Sequence, residues 1–294
     1  MNLSETRKGE LAILAEALLW SIFPIITILS YASLNPITSL AWSTLLASVF
    51  FALVMLVKGK AREVFNPKIW PMILLPVFFV GWMYYGLYFL GLKFTTAGNA
   101  SIIALMELFF SYLFFNIWKK QDFSKAHTFG AVLMLLGAII VLFPKQGLAL
   151  HGGDFLVLLA TAFAPVGNFY QQKLRKIISS ESILFLRSLL TFPFAFLLGL
   201  FLKAQIGPNV IEKYFWLLLL NGFIALGLSK LWWLEGIHRI SVTKANALSV
   251  VAPLFTLFFA FLILHQVPTI WQLSSFIPMA AGLILLTYQK SSAM

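Results

Sequence analysis

The strongest constraint in this sequence is a recurring length. Apolar segments of about 18–24 residues follow one another along the whole chain. As a helix, each is long enough to cross a hydrocarbon core of ~30 Å. Ten spans are placed, at 9–32, 36–57, 69–91, 97–118, 126–143, 153–173, 180–202, 214–237, 243–264 and 269–289. The connections carry the breakers Asn35-Pro36, Asn66-Pro67, Gly152-Gly153, Gly207-Pro208 and Pro268. None is long enough to hold a globular domain, so function must reside inside the bundle. Composition agrees: 11% of residues are charged, where soluble domains carry about 25%. With no cysteine, disulfides and thiolate chemistry are excluded. The apolar run after Arg7 and Lys8 continues to about Leu34 without a small-x-small cleavage site, so it reads as a retained first span rather than a signal peptide.

Lysine and arginine set the expected orientation. Arg7, Lys8, Lys58, Lys60, Arg62, Lys68, Lys119, Lys120, Lys125, Lys173, Arg175, Lys176, Arg239, Lys244 and Lys290 fall on one side, and Lys93, Lys145, Lys203 and Lys213 on the other. Arg187 and Lys230 fall within spans. This bias predicts that both termini are cytoplasmic. It also accounts for the net charge of +11. The basic residues are spread over separate cytoplasmic segments rather than gathered in a patch, which argues against a nucleic-acid partner.

The two halves of the chain match. Residues 88–115, YFLGLKFTTAGNASIIALMELFFSYLFF, align with 233–261, WLEGIHRISVTKANALSVVAPLFTLFFAF, with a one-residue slip in the loop. Gly91 meets Gly236, Ala100 meets Asn246, Phe109 meets Phe255, and Gly137 meets Gly282. Two repeats, 9–143 and 153–289, follow from the match. Five spans is an odd number, so the repeats must lie in the membrane with opposite orientation. Inverted repeats are the architecture of secondary transporters, with the substrate site near the midplane between them.

Helical spacing sorts the candidate residues. In the ninth span Asn246, Ser249, Pro253 and Thr256 form one polar stripe, and such a stripe faces protein or water rather than lipid. The repeat carries it onto Ala100, Ile103, Glu107 and Phe110 in the fourth span. Glu107 has no other charge within ten positions on either side. A charge at mid-bilayer costs roughly 2.5–3.5 kcal/mol on the insertion scale, so Glu107 reads as a substrate or proton site, or as a protonated carboxyl bonded inside the bundle. Tyr84, Tyr85 and Tyr88 share an aromatic face of the third span, and its repeat counterpart in the eighth is Leu226, Ser229, Lys230 and Trp233. Glu16, Trp20 and Phe23 share a face of the first span beside Pro24, and Asn168 lies beside its counterpart in the sixth. Asn99 is a further amide candidate for the cavity. Pro24 and Pro253 mark expected helix irregularities.

Glu16 is expected either to serve in coupling or to pair with Lys230 or Arg187. Lys230 is a candidate partner for a substrate carboxylate, and both cations are long enough to snorkel to the cytoplasmic face. Glu235 is expected to form a surface pair with Arg239, four residues on. Trp70, Trp118, Trp216 and Trp271 lie near span ends, as interfacial tryptophans do. His127, His151, His238 and His265 also lie at or beyond span ends, with no metal or catalytic spacing.

Two five-helix repeats, the aromatic-x-x-Gly end of each third span (Tyr88 to Gly91, Trp233 to Gly236) and a last helix with a central glycine resemble the drug/metabolite transporter superfamily, EamA-type branch. The resemblance covers nearly the whole chain. It implies that the first, third and fourth helices of each repeat surround a central cavity and that the fifth lies outside. It also implies a coupling role for a first-helix carboxylate such as Glu16. There are two departures from the family pattern. An arginine early in the second helix of each repeat is kept only as Arg187, with Trp42 in the other half. A proline in the fourth helix is kept only as Pro253, with Glu107 in the other half.

The expectation is therefore an all-α integral membrane protein of ten transmembrane helices, two inverted five-helix repeats around a central cavity. Its expected role is a secondary active exporter of a small organic metabolite, such as an aromatic or large apolar amino acid or an amphipathic drug-like solute, working by alternating access. Import or exchange is the alternative within transporters. Its partners are a small-molecule substrate and the lipid bilayer, with no cofactor, no metal and a monomeric state. Glu107 and Glu16 are the proton-coupling candidates. The expected location is the inner (plasma) membrane. The rivals are an intramembrane enzyme acting on a lipid or isoprenoid, disfavoured because the carboxylates are scattered in depth, and a structural membrane subunit.

Overall fold

The computed structural model describes residues 3–119, 125–142, 152–204 and 208–287. Lys120, Lys145, Gly207, His151 and Lys290 lie outside the described residues, as do the side chains of Trp118 and Lys119. Among the described residues nine helices are long and apolar enough to cross a membrane, and a shorter apolar helix, Ile270–Leu286, follows them. The spans run Glu5–Ser30, Pro36–Val57, Pro67–Leu92, Ala97–Phe115, Lys125–Leu142, Gly152–Leu174, Ser180–Phe201, Glu212–Arg239 and Lys244–Leu264. Asn35 caps the second span by accepting from the Ile37 N–H, with Pro36 at its first position, and Thr96 caps the fourth in the same way. The Asn35-Pro36 pair is one of the breakers that the sequence places in the connections. Leu197, Phe201, Trp216, Ile277 and Ile284 project outward from the bundle. Lipid tails solvate such a surface, so it carries no aggregation penalty there.

The packing repeats the internal symmetry of the sequence. The first span packs on the eighth and the third on the sixth, which is the same pairing with the repeats exchanged. The second packs on the seventh and the fifth on the tenth. Helix association in lipid rests on close van der Waals approach, which small residues permit. Gly9 of the first span abuts Gly236 of the eighth, and Gly91 of the third abuts Gly153 of the sixth. A side chain on either glycine of the second pair would run into the backbone carbonyl of the other. Gly130 and Gly282 bring the fifth and tenth helices together in the same manner.

Several spans are broken at mid-depth. The first divides into Glu5–Ser21 and Phe23–Ser30, with Pro24 opening the second half. The ninth divides into Val242–Ser249 and Ala252–Leu264, with Pro253 in the same position. Both irregularities fall where the prolines place them. The fourth divides into Ala97–Ala104 and Met106–Lys119 without a proline. The third and eighth widen into π-helix over Val77–Tyr84 and Asn221–Leu228. A carbonyl set free by a break needs a partner in lipid. The Ser21 carbonyl finds one in the Thr256 hydroxyl of the ninth span, at 3.0 Å.

Polar contacts tie the repeats together at one end of the bundle. Lys244 pairs with Glu10, and Arg239 with Glu5. Glu63, in the connection between the second and third spans, accepts from the Ser179 N–H at 2.7 Å and the Ser182 hydroxyl at 2.9 Å. Burial by itself pushes the Glu63 carboxyl up, but these donors and the nearby Lys60 outweigh it and hold the carboxyl below its ordinary value.

Two outcomes are expected in detergent-solubilised protein. Gly91→Val lowers the melting temperature by several degrees, since the Gly153 carbonyl cannot yield, whereas Gly86→Ala, with open space around it, leaves it unchanged or slightly higher. Because the folded-state carboxyl of Glu63 is depressed, its stabilisation is present above the unfolded value of ~4.3 and is lost as pH falls through the folded value. Thermal melts of wild type and Glu63→Gln should therefore converge on acidification and separate at neutral pH.

Candidate functional site

The broken spans enclose a central cavity of about 110 Å³. The first, third, fourth, sixth, eighth and ninth spans contribute to it as the resemblance implies, but so do Arg187 of the seventh and Leu283 of the tenth, so the last helix is not wholly outside. Glu16, Trp20, Tyr84, Tyr85, Tyr88, Glu107, Asn168, Lys230, Trp233, Asn246 and Ser249 line it, together with Pro24 and Pro253. Asn99 does not. It lies at the start of the fourth span, where its side chain donates to Asp154 at 3.0 Å and accepts from Gln272 at 2.8 Å. Thr95 donates to the same Asp154 carboxylate. Ser101, two residues further along the same helix, does line the cavity, so Asn99 is excluded because its side chain is turned toward Asp154 and Gln272.

On one wall, Glu16 and Trp20 stand one helical turn apart and face Lys230. The ammonium contacts the Glu16 carboxylate at 2.7 Å and lies 3.3 Å from the centroid of the Trp20 ring. Ser229 donates to the same carboxylate at 3.3 Å. Trp20 stacks on Phe23 at 4.3 Å, which fixes the ring that the cation covers. Of the two pairings open to Glu16, the structure adopts Lys230. A lysine already held by a carboxylate and a ring is poorly placed to take a substrate carboxylate.

On another wall, hydrogen bonds run through neutral amides from an acid to a base. Asn168 donates to Glu107 at 2.7 Å, Gln171 donates to Asn168 at 3.0 Å, and Arg187 donates to Gln171 at 2.8 Å. Arg187 also donates to the Tyr85 hydroxyl at 3.3 Å. It is buried and does not snorkel to the surface, because these partners and the Tyr85 ring hold it inward. Gln171 and Arg187 complete the wall. Gln171 is three residues beyond Asn168 on the same face of the sixth span, and that spacing is a signal by which sequence reading could have found it.

Glu107 occupies the first turn of the half-helix Met106–Lys119. The unpaired N–H groups of a helix start favour negative charge there. Pro253 has the matching position in Ala252–Leu264, and proline is favoured at a helix start for a different reason, since it has no N–H to leave unpaired. Glutamate and proline are thus alternative answers to the same break, which accounts for their exchange between the repeats. Tyr84, Tyr85 and Tyr88 pack ring to ring, and the Tyr88 hydroxyl donates to the Ala100 carbonyl at 3.2 Å. Ser249 donates to the Ala245 carbonyl of its own helix.

Glu235 differs from expectation. It does pair with Arg239, at 2.7 Å, but it is also held by Arg175 at 3.1 Å and by the Ser180 hydroxyl at 2.5 Å. The pair is a partly buried junction of the sixth, seventh and eighth spans rather than an ornament of the surface.

The model of the EamA-like transporter family matches twice, at residues 7–143 and 151–288. A curated relative, the uncharacterized transporter YoaV of Bacillus subtilis (strain 168), is 24% identical over 222 residues, covering 72% of this chain and 74% of its own. A protein of known crystal structure superposes with a TM-score of 0.72 at 17% identity, over 95% of this chain and 96% of its own, which is a likeness of fold.

Removing one partner of the Glu16–Lys230 pair strands a charge in a poorly hydrated site. Glu16→Gln and Lys230→Met should each lower unfolding stability by about 3 kcal/mol, since single removals from buried pairs cost ~3–5 kcal/mol. The double variant should lose clearly less than the sum, and a thermal double-mutant cycle measures the difference.

Proposed function

The chain belongs to the EamA-like transporter family, and on that premise we propose that it is a secondary active exporter of a small organic metabolite. The substrate class proposed is an aromatic or large apolar amino acid, or an amphipathic solute of similar size. Transport proceeds by alternating access, with one repeat taking the outward shape while the other takes the inward one. Export is proposed on the likeness to the ten-helix exporters of the superfamily. The bias of basic residues toward one face supports cytoplasmic termini in the inner (plasma) membrane. The protein is proposed to act as a monomer, since the fused repeats already form both walls of the cavity.

One observation carries this reading. Glu107 stands at the start of a broken half-helix and faces a cavity that both repeats enclose. Half-helix ends at mid-depth between inverted repeats are where transporters hold substrate groups and coupling ions. The aromatic lining buries the apolar body of a solute. Glu107, beside Asn168, can carry a proton or answer a substrate amine, and Glu16 is held ready by Lys230 for a rearrangement in which the pair separates.

Proteoliposomes containing only this protein provide the test. They should exchange a labelled amino acid drawn from a panel of aromatic and large aliphatic ones. Glu107→Gln should slow counterflow or flatten its dependence on pH while the protein inserts and melts as wild type does. Normal counterflow at every pH in that variant would remove Glu107 from the mechanism.

A further inference from the structure

The charges that line the cavity are not balanced in the same way. Lys230 is neutralised by Glu16. Glu107 is answered by the Asn168 amide. Arg187 contacts only neutral groups, the Gln171 carbonyl oxygen and the Tyr85 hydroxyl, with its Cζ 5.4 Å from the Tyr85 ring centroid. No ion pair among the described residues includes it. Two of the five N–H donors of the guanidinium are engaged. The side chain is only 3% exposed, yet it lines the cavity. A buried cation without a counter-charge is costly, and this one stands where a bound solute can supply the missing charge.

A second observation points the same way. Asn246, 8% exposed, lines the same cavity, and its amide nitrogen has no hydrogen-bond partner. Buried amides are normally paired, and an unpaired one beside a cavity marks a place for a ligand oxygen.

Resting on the reading of this cavity as a transport site, we propose that Arg187 receives the carboxylate of the transported solute, and that the substrate class is a small monocarboxylate with an apolar body. The planar fork of a guanidinium matches a carboxylate in two parallel hydrogen bonds. A doubly charged phosphate is disfavoured, because Lys230 is already engaged and Glu107 faces the same space. The apolar body lies against Tyr84 and Trp233. Lys230 and Glu16 remain paired when the solute binds.

Three probes of matched shape test the assignment: 3-phenylpropionate, its methyl ester and 3-phenylpropylamine. At about pH 7.5 they are an anion, a neutral molecule and a cation. Thermal stabilisation of the purified protein reports binding, and counterflow in proteoliposomes reports transport. The acid should stabilise the protein at concentrations at least ~10-fold below those needed for the ester or the amine, which corresponds to one charge-assisted contact. Arg187→Gln should raise the acid concentration required by ~10-fold or more and change the ester response much less. Arg187→Lys should recover part of the loss.

Equal stabilisation by acid and amine, or a folded Arg187→Gln variant with wild-type response to the acid, overturns the proposal. If Arg187→Gln does not fold, the wild-type probe series and Arg187→Lys decide. Binding of the acid without counterflow overturns the transport reading and leaves Arg187 as the anion site. Counterflow of ester or amine at the rate of the acid keeps the transport reading and overturns the carboxylate assignment. No response to any probe overturns that assignment as well.

Discussion

A helix that breaks inside a bilayer must find partners for the backbone groups it releases, because lipid offers none. The first, fourth and ninth spans all break at mid-depth, and the third and eighth widen there into π-helix. These irregularities are tolerable only where protein or a polar cavity surrounds them. Residues at or beside the breaks of the first, fourth and ninth spans and in the π-helix of the third line one cavity. The hydroxyl of Thr256 on the Ser21 carbonyl answers one of the breaks, and Glu107 stands in the first turn after another. The cavity is therefore the place where the structure can afford irregular backbone, and the irregular backbone shapes the cavity.

Charge is handled by the same economy. Glu16 and Lys230 are brought together from opposite repeats and share the face of Trp20. Glu107 and Arg187 are kept apart and joined through the amides of Asn168 and Gln171. The amides orient their dipoles from base to acid. In this way the sixth span, which has neither a break nor a charged cavity residue, sets the polarity of the wall that connects the fourth span to the seventh. At the basic end of the bundle, Glu235, Arg175 and Arg239 join the sixth and eighth spans, and Lys244 with Glu10 joins the ninth to the first. The first of these contacts lies within the second repeat, and the Lys244–Glu10 pair crosses between the repeats.

Much of this was legible in the sequence because membrane spans announce themselves. Length and hydropathy placed the helices, since few other structures satisfy a backbone in lipid. The glycines matched between halves, Gly91 and Gly236, turn out to sit at equivalent helix contacts with Gly153 and Gly9. Periodicity put Asn246, Ser249 and Glu107 on inward faces, because a polar stripe on an apolar helix has nowhere else to point. The prolines located breaks in the first and ninth spans. The break in the fourth has no such signal, and nothing local shows that Asn99 is turned away from the cavity by Asp154 and Gln272 of other helices.

The sequence by itself determined the ten spans, their duplication and the side of each helix that must be hidden, because these depend on local composition and spacing. Which charges meet was decided by the tertiary structure. Glu16 had two basic residues at similar depth, and only the packing of the first span on the eighth selects Lys230. The packing of the seventh span on the third, with Gln171 of the sixth within reach, leaves Arg187 with neutral partners instead. An ion pair depends on distances of a few ångström between helices far apart in the chain, and no local pattern encodes them.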